Sequence, residues 1–275
     1  MSNRATFSFV IFVFVLAVIT IDGCKPKNSD AVTPGGGLSD SLVSSPCILL
    51  AERINDVLYR AYEYDTSRNL LRLAEYSANA AFNRVVKRYR FDYENQRLVR
   101  FTETNLVARD QSLIYEFDYD TDGVLRNIRP FRVFNSGPRA TDTLAVKYDD
   151  NSYINELSST RTGSQKWQYD SVGNVKKWLI RTLTATQDST LAEYGSYDTK
   201  TNLYGFSKTI QLVRLLAGNA ASRRNPLTYT VKGQNLKATY QYNNQNVPTQ
   251  SVLKMMSAGD TTLRETVFSY QLSCK

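Results

Sequence analysis

The sequence predicts an all-β fold: an antiparallel meander of hairpins that forms a curved sheet or a partly closed barrel, with one short helix. From Cys47 onward, short segments alternate apolar and polar residues with the period of two that is typical of half-buried strands. Asn, Asp, Gly and Ser, the residues of tight turns, separate these segments. An aromatic doublet followed by an acid and a turn recurs throughout the same region. These observations place one β domain at residues 47–275.

Residues 1–23 have the organisation of a secretion signal. Arg4 lies in a short polar start, and the apolar run from Phe7 to Ile21 is too short to span a bilayer comfortably. The run closes on Ile21-Asp22-Gly23-Cys24, which resembles the lipobox of bacterial lipoproteins. This resemblance implies that Cys24 carries a diacylglycerol and becomes the mature N-terminus, so that the protein meets the membrane through an N-terminal lipid. An ordinary signal peptide followed by an incidental cysteine is the alternative.

Residues 24–46 form the predicted connection between lipid and domain. They are rich in Ser, Pro, Gly and Asp around Pro34-Gly35-Gly36-Gly37, a composition that favours a flexible tether. By analogy with lipoproteins, the absence of Asp directly after Cys24 implies an outer-membrane location in the cell envelope. The basic start Lys25-Pro26-Lys27 is not an acidic export tag, which favours the periplasmic side.

The recurring unit of the domain is an aromatic doublet at positions i and i+2, then an acid and a turn. Because residues i and i+2 of a strand share a face, each doublet places two rings side by side against the neighbouring strand. The acid is placed to accept hydrogen bonds from turn amides, and Asp122-Gly123 and Gly173-Asn174 offer the positive φ that tight hairpins need. The copies are Tyr62-Glu63-Tyr64-Asp65, Arg90-Phe91-Asp92-Tyr93, Tyr115-Glu116-Phe117-Asp118-Tyr119-Asp120, Lys147-Tyr148-Asp149-Asp150, Trp167-Gln168-Tyr169-Asp170, Ser196-Tyr197-Asp198 and Tyr240-Gln241-Tyr242-Asn243.

One stretch departs from the strand pattern. Phe206, Ile210, Val213 and Leu216 fall at helical spacing, and Gly218 is placed to end a helix. We therefore expect a short helix or irregular crossover over about residues 208–217. Such a segment would cap one end of the sheet or cover one of its faces.

The repeats resemble the RHS/YD consensus Tyr-x-Tyr-Asp-x-x-Gly-x-Leu, most closely at residues 119–125 and 169–175. Together with the lipobox, Asn225-Pro226-Leu227 and the closing residues 240–249, they make the chain similar to a family of Bacteroidetes-type lipoproteins of unknown function. The resemblance covers essentially residues 47–275. It implies a porin-like, meandering β fold and an envelope location, and it brings no catalytic residues.

Three cysteines are present, and lipidation would use Cys24. Cys47 and Cys274 then stand at the two ends of the folded part, and beyond the inner membrane disulfides persist. Because chain termini often lie close together in one domain, we expect a disulfide between them. Two separate thiols are the alternative.

The composition excludes several functions. The formal net charge is +8, but the basic residues are scattered rather than gathered in the stripe that nucleic acids need, so nucleic acid is not an expected partner. There is no histidine, which removes His-based acid–base catalysis, His-activated nucleophiles and the commonest zinc sites.

Asp118, Asp120, Asp122 and Gly123 match the first half of a calcium loop. Its twelfth position, which requires a bidentate acid, is Arg129, so a hairpin turn is the preferred interpretation and neither a metal nor a cofactor is expected.

Two further constellations are candidate sites. Asp149-Asp150 or Glu193 could serve as catalytic carboxylates of a glycosidase, but no pair stands out among the many turn acids. Trp167 and Trp178 are the preferred ligand-binding residues, because one hairpin would bring both indoles together for stacking on a sugar. Core packing is the competing role for both tryptophans.

The sequence therefore favours a non-enzymatic envelope module that binds or scaffolds a polysaccharide or a partner protein. The alternative is a carbohydrate-active hydrolase that uses two carboxylates. A membrane-spanning barrel fits less well, because segments such as Arg84–Arg90 and Leu98–Thr104 carry charge through their middle on both faces.

Overall fold

The structure is a computed structural model that describes residues 46–274, apart from 80, 82, 109, 110, 135 and 219–221. The signal segment, Cys24 and the tether up to residue 45 lie outside the described residues. The described part contains seventeen strands and one α-helix. In chain order they are β1 (Cys47–Ile54), β2 (Val57–Tyr64), β3 (Leu70–Tyr76), β4 (Val85–Glu94), β5 (Arg97–Asn105), β6 (Leu113–Tyr119), β7 (Leu125–Phe134), β8 (Gly137–Ala140), β9 (Leu144–Tyr148), β10 (Ile154–Ser159), β11 (Gly163–Tyr169), β12 (Val175–Arg181), β13 (Ser189–Thr201), α1 (Lys208–Leu216), β14 (Arg224–Val231), β15 (Gln234–Tyr242), β16 (Pro248–Met256) and β17 (Thr262–Cys274).

The strands form a closed antiparallel barrel, which confirms the predicted fold class. Each strand pairs with the next along the chain, except that β8 pairs only with the second half of β7 and β9 takes the place beside the first half. The last strand, β17, pairs with β1, so sixteen strands complete the ring and β8 is additional. The ring is closed completely rather than in part, because hydrogen bonds join β17 to β1 and also join β7 to β9 where β8 leaves the ring.

The Cys47–Cys274 disulfide, expected from the sequence, lies on the seam between β1 and β17. The two cysteines are direct partners in the strand register, and their sulfur atoms are 2.00 Å apart. The bridge therefore holds the first and last strands of the barrel together at the point where the ring closes.

The barrel has two distinct ends. The YD end carries the turns that follow β2, β4, β6, β9, β11 and β15, together with the β13–β14 connection and the disulfide. The far end carries the turns that follow β1, β3, β5, β7, β10, β12, β14 and β16. At the YD end Gly123 and Gly173 adopt φ of +79° and +90°, as the hairpin turns were expected to require.

The inner face of the barrel is apolar and rich in aromatic rings. The first ring of each doublet points inward, and Phe101 stacks on Tyr115 at 4.5 Å between ring centroids. The buried core includes Tyr62, Leu73, Tyr89, Phe91, Phe101, Phe117, Ile128, Leu157, Trp167, Trp178, Tyr194, Tyr229, Leu253 and Phe268. Alternation leaves most polar strand residues on the outside, although some, such as Glu52 and Glu75, are buried.

Ion pairs between neighbouring strands cover the outer face. Arg100 and Glu116 are opposite each other in the β5–β6 register and lie 2.7 Å apart, and Glu116 also reaches Arg129 on β7 at 3.4 Å. The same in-register arrangement recurs in Glu63–Arg72, Lys147–Glu156, Lys177–Glu193 and Lys254–Glu265. Pairs such as Arg100–Glu116 and Lys177–Glu193 lie toward the middle of their strands, where a bilayer-spanning barrel carries an apolar band. Among the described residues, no helix is long and apolar enough to cross a membrane.

The single helix lies inside the barrel. Its predicted position, about residues 208–217, agrees with the observed bounds Lys208–Leu216, and a 3-10 helix at Leu203–Phe206 precedes it. It covers the inner face of the sheet, one of the two expected positions, because Ile210 and Val213 line a cavity with residues of β2–β4 while Gly218, just after it, lies against Trp178 of β12 on the opposite side of the ring. Residues on several helix faces are consequently buried.

Candidate functional site

The acids of the repeat cap the turns at the YD end. Asp170 Oδ1 accepts the backbone N–H groups of Val172 and Asn174 at 2.9 and 2.8 Å, and its Oδ2 accepts Asn174 Nδ2 at 3.0 Å. The same double acceptance occurs at Asp120, Asp149 and, with an amide in place of the acid, Asn243. These acids are therefore occupied in holding turns.

The tyrosine that precedes each turn links neighbouring hairpins. Its hydroxyl donates to a backbone carbonyl near the start of a strand one hairpin earlier, as in Tyr119 to Leu98 at 2.8 Å and Tyr169 to Ile154 at 2.9 Å. The other members are Tyr64 to Leu49, Tyr93 to Leu70, Tyr148 to Leu125 and Tyr197 to Val175. In the last copy the bond is made by the first tyrosine of the doublet, Tyr240, to Pro226. The sequence signalled the rings but not these hydrogen bonds, which join residues 14 to 23 positions apart along the chain.

The structure brings Trp167 and Trp178 together but places both in the lumen. They are direct partners in the β11–β12 register, and their side chains are 2% and 6% exposed. An exposed stacking surface is therefore not what they form. Within the described residues, neither indole Nε1 atom has a hydrogen-bond partner, and the same holds for Gln165 Oε1, Tyr194 Oη and Gln211 Nε2. Buried polar atoms without protein partners mark places where a lumen holds water or a small polar group.

A second polar cluster in the lumen centres on Glu52, which is 1% exposed. Its carboxylate accepts hydrogen bonds from the hydroxyls of Tyr62 and Tyr204, the latter at 2.7 Å. Burial, together with the nearby Glu52 carboxylate, raises the pKa of both tyrosines well above the ordinary value. The two hydroxyls are consequently protonated donors to Glu52, which lies outside the repeat and was not signalled by the sequence.

Arg60 connects this cluster to a second buried acid. Its guanidinium donates to Glu75 at 3.1 Å and lies 3.9 Å from Glu52. Because the two carboxylates share one cation, neither is poised as an acid opposite a base, which is the arrangement that a glycosidase requires.

A small cavity of about 70 Å³ lies between α1 and strands β2–β4. Charged side chains and aromatic rings both line it, and one of the lining residues, Arg214 of α1, also lies 4.3 Å above the ring of Tyr204. Lys87, which also lines the cavity, pairs with Glu103 at 2.6 Å. The volume suits a few water molecules or one small polar group. The lining is Arg60, Tyr62, Leu70, Leu73, Glu75, Lys87, Tyr89, Phe91, Ile210, Val213, Arg214 and Ala217.

The acids nominated for catalysis are not brought together. Asp149 caps a turn, Asp150 is exposed beside it, and Glu193 lies on the outer face, 3.0 Å from Lys177. In the proposed calcium loop, Asp118 pairs with Arg129 at 2.8 Å and Asp120 with Arg126 at 2.7 Å, which supports the turn interpretation. Within the described ranges, no group of three or more Cys, Asp or Glu is arranged to hold a metal ion.

Comparison with solved structures supports the barrel fold. The chain is similar to a porin-like protein from Bacteroides uniformis, with a TM-score of 0.53 and 9% identity over 83% of this chain and 97% of that one. A porin-like protein from Bacteroides vulgatus gives a TM-score of 0.37 and 12% identity over 82% and 98%. The TcdB2-TccC3-Cdc42 structure gives 0.34 and 12% over 75% of this chain and 10% of that one. The sequence matches no protein-family model and no curated protein.

Proposed function

We propose that this chain is a cell-envelope lipoprotein whose barrel is a non-enzymatic binding or scaffold module. In this proposal Cys24 carries the lipid, residues 25–46 are the tether, and the barrel lies on the periplasmic side of the outer membrane. The lipobox resemblance supports the anchor, and the fold shared with a porin-like Bacteroides protein is compatible with an envelope location.

The observation that carries the proposal is the inversion of a porin's polarity. Here the outer face carries ion pairs between strands, while the inner face is mostly apolar, holds one buried charged cluster around Arg60, and surrounds a helix. A pore-forming barrel needs an apolar exterior and a water-filled lumen. This barrel is instead built to stand in water and to present its surface and lumen to a ligand or partner.

For a carbohydrate ligand we propose contact with Trp167 and Trp178. Both indole N–H groups point into the lumen without a partner in the described structure, so a small polar part of a glycan could satisfy them. Such a ligand has to enter the lumen, because both rings are buried. A protein partner of the envelope would bind elsewhere on the outer surface.

A glycan-array screen of the full chain tests this proposal. Tryptophan fluorescence then locates each hit, because the chain's two tryptophans both face the lumen. We expect a glycan bound at the indoles to change their emission, and Trp178→Phe, which keeps a ring but removes the N–H, to weaken its binding. Hits that leave the emission unchanged would place the ligand outside the lumen, and a screen without hits would favour a protein partner.

The anchor is tested separately by metabolic labelling with a radioactive fatty acid. The full chain should take up the label, whereas a Cys24→Ser chain should not. Equal labelling of both chains would overturn the lipid assignment without touching the binding proposal.

We do not propose the two-carboxylate hydrolase. The nominated turn acids are engaged in caps or surface ion pairs, and the buried acids Glu52 and Glu75 are held by one shared arginine.

A further inference from the structure

Exposed apolar side chains gather at the far end of the barrel. Among the described residues, the large hydrophobic side chains that are clearly exposed include Val107 at 65%, Leu263 at 62% and Leu183 at 58%. Phe134 and Leu106 belong to the same set, and all five lie in far-end turns or within the adjoining strand ends. A sixth, Leu71, lies near the YD end on β3. Exposed apolar residues that share one end of a molecule indicate an interaction surface.

The same end is rich in exposed cations. Arginines lie in the turns, or within three strand residues of them, all around the far end: Arg53, Arg84, Arg139, Arg161, Arg181 and Arg264. Among the residues that the structure describes, exposed acids in the same zone are fewer, namely Asp56, Asp188 and Asp260. One arginine, Arg139, lies 5.6 Å from the ring centroid of Phe134, so that cation and apolar ring are presented together.

We propose that the far end is a docking surface for an anionic phospholipid bilayer. Cations attract anionic headgroups, and apolar side chains at the tips of turns enter the boundary between headgroups and acyl chains. A polyanionic polysaccharide would use the arginines but gain nothing from exposed valine and leucine. A protein partner would need one contiguous complementary patch, whereas these side chains sit on separate turns around a ring, which suits a fluid surface.

The surface goes beyond the proposed lipid anchor and does not depend on it. The chain enters the barrel through β1 at Cys47, which lies at the YD end, so the tether leaves from the end opposite to the docking surface. A tether of residues 25–46 reaches at most about 75 Å when fully extended. A strand of about nine residues is roughly 30 Å long. The barrel can therefore turn its far end toward the membrane that holds the anchor.

Hydrogen exchange of the full chain tests the docking surface. The chain is mixed with phosphatidylcholine vesicles that contain or lack phosphatidylglycerol, and exchange is followed in the β5–β6 and β12–β13 turns and in the YD-end turns 120–124 and 170–174. With anionic vesicles we expect the far-end amides to exchange at least about tenfold more slowly, because insertion removes them from water, and the YD-end turns to be unchanged. Retention on both kinds of vesicle reports the anchor, so its failure and the failure of docking are distinguishable.

A matched pair of variants distinguishes docking of the far end from nonspecific adsorption of exposed apolar residues to the vesicles. The combined substitution Val107→Ser, Phe134→Ser, Leu183→Ser and Leu263→Ser should abolish the protection, whereas Leu71→Ser, at the other end, should leave it intact. Equal exchange with both vesicle types would overturn the proposal. So would equal protection by a soluble acidic polysaccharide without lipid, or protection of both ends of the barrel.

Discussion

Each repeat tyrosine combines two roles that a phenylalanine could not combine. Its ring packs against the barrel wall, and its hydroxyl reaches a carbonyl one hairpin away, as Tyr169 does to Ile154. Burial raises the pKa of Tyr169, so the hydroxyl is protonated and donates. The acid that follows holds the turn, which fixes where the next strand begins.

Removing one of these tyrosine hydroxyls should destabilise the barrel. We expect Tyr169→Phe to lower the free energy of unfolding by about 1 kcal/mol, because the ring stays while the carbonyl of Ile154 loses its donor. Chemical denaturation measures this loss. Tyr76→Phe is the control, since within the described residues its hydroxyl donates no hydrogen bond, and an equal loss there would assign the effect to the ring.

Removing a turn cap should also act on stability rather than on binding. Asp170→Ala leaves two turn amides and the Asn174 side chain without their acceptor, so we expect a loss of about 1–3 kcal/mol. Asp120→Ala should behave similarly. The control is Asp150→Ala, which removes an exposed carboxylate next to the turn cap Asp149 and should change the free energy of unfolding little. A normal melting temperature for Asp170→Ala with loss of ligand binding would contradict the structural role.

At the scale of elements, the helix fills part of the lumen and packs against the barrel wall. Leu212 and Leu215 are buried against the lumen wall, and Ser207 accepts the Ile210 N–H at the start of the helix. The chain leaves the helix through Gly218, which has φ of +73° and faces Trp178. The helix exit and the indole pair are therefore coupled by close contact.

A methyl group at Gly218 should disturb this contact. A Cβ there would lie 3.1 Å from the Trp178 ring, so Gly218→Ala adds a steric cost to the cost of a positive φ. Gly233→Ala is matched, since Gly233 has φ of +78° and a Cβ there would meet nothing within 4 Å. We expect both to destabilise the protein, Gly218→Ala by at least about 1 kcal/mol more. Thermal unfolding compares the two, and a change in tryptophan emission should accompany only Gly218→Ala.

At the scale of the whole molecule, the barrel is closed by the β17–β1 pairing, which the disulfide reinforces across 227 residues of chain. The closed wall buries many tyrosines at once. Burial raises the pKa of Tyr115 to about 12 and that of Tyr148 to about 12, and raises those of Tyr194 and Tyr229 further. Alkaline stability is thus a property of the ring as a unit.

We expect the barrel to unfold cooperatively in alkali. An unfolded tyrosine titrates near pH 10, so below about pH 10 both states are protonated and stability is complete. As the pH rises from about 10 toward 12, the unfolded state loses protons that the folded state keeps, and stability falls. Tyrosinate absorbance and circular dichroism should therefore change together in this window. Ionisation of most tyrosines near pH 10 in a folded protein would contradict their burial.

The sequence by itself determined the local structure, because its signals act over a few residues. The doublets predicted strands, Asp120 and Asp170 predicted turn caps, and the spacing around Ile210 predicted a helix with nearly its observed bounds. Pairing of Cys47 with Cys274 also followed from their positions at the domain ends. Each of these features depends on neighbours or on termini, which a linear pattern can specify.

Only the tertiary structure decided that the ring closes, that the helix lies inside it, and that Trp167 and Trp178 face a lumen. The same was true of the site around Glu52, whose partner Tyr204 is 152 residues away. Closure depends on the summed twist and register of all the strands, and no single repeat encodes that sum. Which face of a strand becomes the inside, and what it encloses, is settled only when β17 meets β1.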